Sequence, residues 1–222
     1  MQDGQGVYTF ADGRVYDGQF KEGKMDGTGI LTYPKDDSFG RKMYKGGFVK
    51  GLRHGKGTLK FSNGGKYVGD FVNDLREGSG VHTYADGRVY DGQWETDKHQ
   101  GKGILTYSEY DTSERKRYEG DFVKGLRHGK GTLIFSRGGK YVGDFVNDLR
   151  EGTGEHRYED GSVYDGKWQS DKRQGQGTST SSSGDTYVGE WRNDLKEGEG
   201  VMTYDDGRVN KGLWKDNRPD WE

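Results

Sequence analysis

The chain has 222 residues, with 35 Lys and Arg against 37 Asp and Glu, a net charge of −2 and no cysteine. Disulfides and thiolate metal sites are therefore excluded, and the basic excess of a dedicated nucleic-acid binder is missing. Leu, Ile, Val and Phe together fall below the ~20% that usually marks disorder, but disorder pairs low hydrophobicity with charge imbalance, and here aromatics, at 13%, carry the apolar content.

Tyr and Trp bury flat surfaces while keeping a polar tip, so the composition predicts a thin, aromatic-lined structure. Forty-one glycines beside two prolines do not follow the every-third pattern of collagen. The opening Met1-Gln2-Asp3-Gly4 is polar and does not read as a signal peptide. No apolar stretch approaches the roughly 20 residues of a membrane span.

Along the chain, a Gly-x-Gly pair (Gly4/Gly6) precedes the first Tyr-x-Gly-x-Trp/Phe pentad, Tyr16 to Phe20. Pentads follow at Tyr44–Phe48, Tyr67–Phe71, Tyr90–Trp94, Tyr118–Phe122, Tyr141–Phe145, Tyr164–Trp168 and Tyr187–Trp191, with a degenerate copy at Asn210–Trp214. The spacing is 23 residues except for two steps of 28, and each pentad Tyr is followed after 11 residues by Gly-x-Gly, as at Gly27/Gly29. Residues 49–78 match 123–152 except at Lys60/Ile134 and Asn63/Arg137, an offset of 74 that makes a three-unit block.

Each unit reads as a β-hairpin. Tyr90, Gly92 and Trp94 share one strand face by period-two alternation. Asp86-Gly87 carries the signal of a type I′ turn. Glycine at this density argues against helix, at about 1 kcal/mol per residue relative to Ala. The expected fold class is all-β, an elongated single-layer antiparallel sheet of tandem β-hairpins. The hairpins run over 4–20, 27–48, 55–71, 78–94, 101–122, 129–145, 152–168, 175–191 and 198–214, joined by six-residue charged connectors, with a C-terminal cap at 215–222. The expectation is one array over 1–222. At about 4.8 Å per strand it would span on the order of 85 Å.

Units two and five carry five extra residues at the hairpin tip, Pro34 to Met43 and Ser108 to Arg117, with Arg41 and Arg115 where the turn glycine is expected. The two tips should emerge on one edge, roughly 29 Å apart.

These residues resemble the MORN repeat family, and the match runs from Gly4 to Trp214. The resemblance implies a rod of stacked hairpins with a shallow aromatic-lined groove. It also implies roles as scaffold, dimerisation device or appendage of larger proteins, in settings such as ciliary radial spokes, membrane junctions, lipid kinases and parasite cytoskeletons.

No catalytic residue, cofactor or metal is expected. The Gly-x-Gly pairs lack the strand–loop–helix context of a phosphate loop. His54, His82, His99, His128 and His156 read as solvated turn residues, with no two at metal-ligand spacing. Asp17, Asp91 and Asp165 recur too regularly to be a catalytic pair. A sheet with no helix to cover it should leave Phe20, Trp94, Phe122, Phe145, Trp168 and Trp191 lining a partly exposed groove, a common kind of binding surface. The expected function is a non-enzymatic scaffold that docks a protein partner, or itself through open strand edges, inside the cell in a cytoplasmic, cytoskeletal or ciliary setting. Two alternatives stand beside it. One is peripheral binding of anionic membrane lipid through the tip cations Lys35, Arg41, Lys42, Arg115, Lys116 and Arg117, which nearby acids offset. The other is the regulatory repeat portion of a larger enzyme.

Overall fold

A computed structural model describes residues 3–220. Among them there are nineteen antiparallel strands and no helix, so the all-β hairpin class holds. Contacts divide the chain into two compact units, Met1–Glu109 and Tyr110–Glu222.

The N-terminal unit contains β1 (Gly4–Thr9), β2 (Val15–Lys21), β3 (Lys24–Thr32), β4 (Arg41–Val49), β5 (Leu52–Phe61), β6 (Lys66–Val72), β7 (Leu75–Thr83), β8 (Val89–Glu95) and β9 (Lys98–Thr106). The C-terminal unit contains β10 (Arg115–Val123), β11 (Leu126–Phe135), β12 (Lys140–Val146), β13 (Leu149–Arg157), β14 (Val163–Gln169), β15 (Lys172–Thr180), β16 (Thr186–Arg192), β17 (Leu195–Thr203), β18 (Val209–Lys215) and the short β19 (Arg218–Pro219). Within each unit every strand pairs with the next in the chain. Of the expected cap, β19 pairs with Trp214 and Lys215; Trp221 and Glu222 lie outside the described residues.

Glycine sets the register. Gly6, Gly18, Gly29, Gly46 and Gly57 face one another from strand to strand. The line continues through Gly69, Gly80, Gly92 and Gly103. The C-terminal unit repeats it from Gly120 and Gly131 to Gly200 and Gly212. The pentad Tyr lies flat across this line. Its hydroxyl donates to the carbonyl three residues on, as Tyr16 does to Gln19 at 2.9 Å and Tyr164 to Lys167 at 2.9 Å.

The turns differ from the sequence expectation. Asp86-Gly87 does not form a type I′ turn: only Gly87 has positive φ, at 89°. Gly87 N–H donates to Tyr84 O, and Tyr84 N–H to Arg88 O. This is a three-residue loop with Gly in the left-handed position. The two-residue turns sit instead in the connectors, where both central residues have positive φ: Asn73 (48°) with Asp74 (74°), and Asn147 (49°) with Asp148 (72°). Asn and Asp tolerate that conformation because their short polar side chains bond locally. Thr96 occupies the same position with φ 49° and pays for its branched Cβ. Thr96→Asn is expected to stabilise the N-terminal unit by about 0.5–1 kcal/mol, read as a raised midpoint in urea. The first tip also has a left-handed glycine after all, Gly40, one position earlier than the pattern places it, and Glu114 takes that role in the second tip.

Candidate protein-interaction surface

Two faces compete for the role, and their chemistry differs. On the pentad face, Tyr and Phe/Trp rings form an edge-to-face ladder. Tyr16 meets Phe20 at 5.1 Å and Phe48 at 5.0 Å; Tyr44 meets Phe71 at 5.0 Å; Tyr67 meets Trp94 at 5.2 Å. The C-terminal unit continues the pattern from Tyr118–Phe145 to Tyr187–Trp214. Phe48, Phe71, Trp94, Phe145, Trp168 and Trp191 are each held between their own Tyr and the Tyr of the preceding repeat, an arrangement that adds ring quadrupole attraction to burial.

A second set of side chains closes this ladder, and the sequence reading missed it. Nine residues after the pentad Tyr stands Arg53, Arg76, Arg127, Arg150, Arg173 or Lys196. The guanidinium lies over the aromatic of the next repeat: Arg76 over Trp94 at 4.3 Å, Arg150 over Trp168 at 4.2 Å, Arg173 over Trp191 at 4.1 Å. Its other edge is held by the next connector turn. Arg53 Nε donates to Asp74 Oδ1 at 2.8 Å and Arg127 Nε to Asp148 Oδ1 at 2.9 Å. The legible signal was a cation at a fixed offset from every complete pentad but two, where Met25 and His99 stand.

The expectation of a partly exposed groove is corrected accordingly. Phe20, Trp94, Phe122, Phe145, Trp168 and Trp191 are buried, at 1–7% exposure. A single-layer sheet can bury one face because the rings lie down on side-chain-free glycine and cations from the turns cover their edges. Indole N–H groups are used internally: Trp94 donates to Gly80 O and Trp168 to Gly154 O, both at 2.9 Å, and Trp191 to Gly177 O at 3.2 Å.

The histidines are corrected too. All five lie on strands. His82 and His156 are 8% exposed, in the row that faces the pentad tyrosines: His82 pairs with Tyr67 and Tyr90, His156 with Tyr141 and Tyr164. Arg76 and Arg150 each approach the Nδ1 of the histidine six residues on, at 3.2 Å. His99 stacks on Tyr90 at 3.6 Å. Burial, followed by the neighbouring arginines, lowers all three to about 4.

The tip cations are engaged within their own loops. Arg41 pairs with Asp37 at 2.7 Å and lies over Tyr33 at 4.3 Å; Arg115 pairs with Asp111 at 2.7 Å. The hydrogen bond from Arg41 holds the Asp37 carboxyl below its ordinary range, and Arg115 does the same for Asp111. Arg117 bridges to Glu119 at 2.9 Å. Lys35, Lys42 and Lys116 are exposed. The tips therefore present mixed rather than concentrated positive charge.

The opposite face carries what the pentad face does not. Residues flanking four connector turns are aliphatic and outward: Val49 opposite Leu52, Val72 opposite Leu75, Val123 opposite Leu126, Val146 opposite Leu149. They are 36–42% exposed. At the other turns the same pair is polar or mixed, such as Lys21 with Lys24, Glu95 with Lys98, and Gln169 with Lys172. The two apolar turns of each unit stack directly, because Asp74 N–H donates to Arg53 O and Asp148 N–H to Arg127 O, each at 3.0 Å. Val68 and Val142 extend the patches, and the Lys56–Asp70 and Lys130–Asp144 pairs, at 2.8 and 2.7 Å, supply compensated charge beside them. An exposed aliphatic cluster with a polar rim is the anatomy of a protein-binding patch. The alternation Phe48-Val49 and Phe71-Val72 announced it in the sequence, since period two places Val opposite the buried ring.

The family model for the MORN repeat matches residues 1–13, 16–38, 44–66, 67–87, 90–112, 118–140, 141–163, 164–186 and 187–207. No curated protein matches the sequence. Among solved structures, the chain is similar to the TCP10 domain of Danio rerio CPAP, at 9% identity over 96% of this chain and 95% of that one, with a TM-score of 0.47. It is also similar to the Sas-4 TCP domain of Drosophila melanogaster in complex with a proline-rich motif of Ana2, at 14% identity over 72% and 85%, TM-score 0.43. A virginiamycin B lyase from Staphylococcus aureus matches at 10% identity over 95% and 84%, TM-score 0.17. Likenesses this distant carry no functional argument.

Proposed function

The chain belongs to the MORN repeat family, and on that footing we propose that it is a non-enzymatic scaffold that docks protein partners. The observation that carries this reading is the aliphatic patch Val49, Leu52, Val72 and Leu75, which recurs as Val123, Leu126, Val146 and Leu149. Val and Leu gathered on a solvent-facing strand surface leave contiguous apolar area in water unless a partner covers it, and here the same exposed cluster occurs once in each block. The buried rings Phe20, Trp94, Phe122, Phe145, Trp168 and Trp191 fix the strand spacing beneath the docking face instead of touching the partner. Self-association belongs to the same reading, through the same patches or the exposed strand β1. A cytoplasmic or cytoskeletal setting accompanies it, on the family resemblance.

The test is a comparison of the intact chain with a variant carrying Val72→Thr, Leu75→Lys, Val146→Thr and Leu149→Lys. The variant should keep its far-UV circular dichroism and most of its stability, since each surface change lies within about 0.5 kcal/mol. It should bind partners captured by the intact chain at least ~10-fold more weakly, equivalent to about 1.4 kcal/mol. Equal binding by both proteins would overturn the patch as the docking site.

A further inference from the structure

Repeat eight breaks two rows that every other repeat fills. The row facing the pentad tyrosines reads Tyr8, Leu31, Leu59, His82, Leu105, Leu133, His156, then Ser179, then Met202. Two residues on, Phe10, Tyr33, Phe61, Tyr84, Tyr107, Phe135 and Tyr158 give way to Ser181 before Tyr204. In the preceding repeat the corresponding pair, His156 and Tyr158, packs ring on ring at 4.0 Å. With both rings missing, a cavity of ≈ 240 Å³ opens among Tyr158, Tyr164 and Tyr187, with Arg173, Lys196 and Asp185 in its wall.

One of these substitutions removes a hydrogen-bonding neighbour of Arg173, and a separate change sets Lys196 opposite a neutral turn residue. Arg150 Nη1 lies 3.2 Å from His156 Nδ1; for Arg173 the residue at that offset is Ser179, and the remaining bonds of its side chain go to Asp194. Lys196 takes the position of the capping arginines, over Tyr187 at 4.7 Å and Trp214 at 5.0 Å. The turn residue that meets it is neutral Asn217, which accepts only its backbone N–H. Among the described residues Lys196 has no carboxylate at ion-pair distance. Desolvation, then Arg173, lowers its pKa, and the Asp185 charge offsets this only in part. The Asp185 carboxylate is turned to Asp205 N–H and the Ser183 hydroxyl and makes no ion pair with Lys196.

We infer that this notch receives an aromatic side chain with a carboxylate beside it, from a protein partner: the ring replaces the absent Tyr between Tyr158 and Tyr187, and the carboxylate meets Arg173 Nη1 and Lys196 Nζ. The volume suits one side chain, below the roughly 300 Å³ at which pockets for drug-sized ligands begin. The site specifies one anchor of the partner-binding reading and rests on it.

The test uses 4-hydroxyphenylacetate, which joins a ring to a carboxylate, titrated into the full chain and followed by amide shifts of Ser179 and Ser181. Saturable shifts with a Kd on the order of 1 mM are expected. Tyramine, with the same ring and a cation, should bind at least ~10-fold more weakly, and acetate alone likewise. Lys196→Gln should weaken 4-hydroxyphenylacetate about 10-fold. The double variant Ser179→His with Ser181→Tyr rebuilds the cover of the preceding repeat and should abolish the shifts. Unperturbed amides, equal binding of tyramine or acetate, or undiminished binding by Lys196→Gln would each overturn the assignment. No partner protein enters these titrations, so their failure leaves the patch comparison standing, and failure of the patch comparison leaves the titrations standing.

Discussion

Replacing Gly143 by Val should destabilise the C-terminal unit by roughly 3–5 kcal/mol. Even a single Cβ at this position would stand 2.5 Å from the Tyr141 hydroxyl, 2.6 Å from Gly154 Cα and 2.6 Å from Thr153 O. Two of these three neighbours are backbone, so no rotamer change relieves the clash. Moving the Tyr141 ring aside would in turn break its edge-to-face contacts with Phe145 at 5.2 Å and Trp168 at 5.4 Å. The damage should propagate along the array, since each repeat is stabilised chiefly by its neighbours. Hydrogen exchange is the direct measurement: amide protection should fall first in β12 and β13. A variant with protection equal to the wild type would show that the ring–glycine contact is not what sets the strand spacing.

Acid should weaken both units through their buried histidines. His82, His99 and His156 are held near 4 by burial, whereas an unfolded histidine titrates near 6.5. Between those values the unfolded chain binds more protons than the folded one, so stability rises with pH across that window. Read downward, it is intact above about pH 6.5, falls as pH drops towards 4, and then levels off as far as these groups are concerned. After allowance for solvent screening, each histidine contributes on the order of 2 kcal/mol to the fall. Leu occupies the same row at Leu59 and Leu133, buried to 5% exposure, so His82→Leu and His156→Leu should pack without strain. Urea midpoints at pH 7 and pH 4.5 should differ far less in these variants than in the wild type. An unchanged pH dependence would assign the acid sensitivity to other groups.

Much of this fold was legible because repetition multiplies weak signals. A single Tyr-x-Gly-x-Phe says little; eight of them at near-constant spacing dictate strand, register and the identity of the core ring. The turn assignment failed because Asp86-Gly87 looks like a two-residue hairpin, while Asn73-Asp74 lacks a glycine. What decides between them is loop length: Tyr84 and Arg88 close a longer loop, and Val72 and Leu75 pair directly across a shorter one. The groove expectation failed for a different reason. Counting layers suggested exposed rings, but that count left out the arginine nine residues after five of the tyrosines, whose partner acid lies in the following repeat. His82 and His156 were read from their charged neighbours, although strand alternation alone places them opposite Tyr67 and Tyr141. The aliphatic patches were overlooked because Val and Leu beside a buried ring pass for core until the faces are separated.

The ion pair between each arginine and the turn one repeat later spans 21 residues, as in Arg53–Asp74 and Arg150–Asp171. A repeat such as the one that carries Asp74 and Arg76, or Asp171 and Arg173, therefore supplies half of one clasp and half of the next. Copy number follows from this arithmetic. Inserting a 23-residue unit that carries both the turn Asp and the Arg leaves the neighbouring clasps closed, because the new neighbour brings the same turn at the same offset. An insertion of any other length inside a connector would separate Arg from Asp and open the ladder at that point. The hairpin tips stand outside the clasp, and the two five-residue insertions in this sequence are found there. Gene duplication can thus lengthen such a protein in steps of one repeat, or of one 74-residue block, without new interfaces having to evolve.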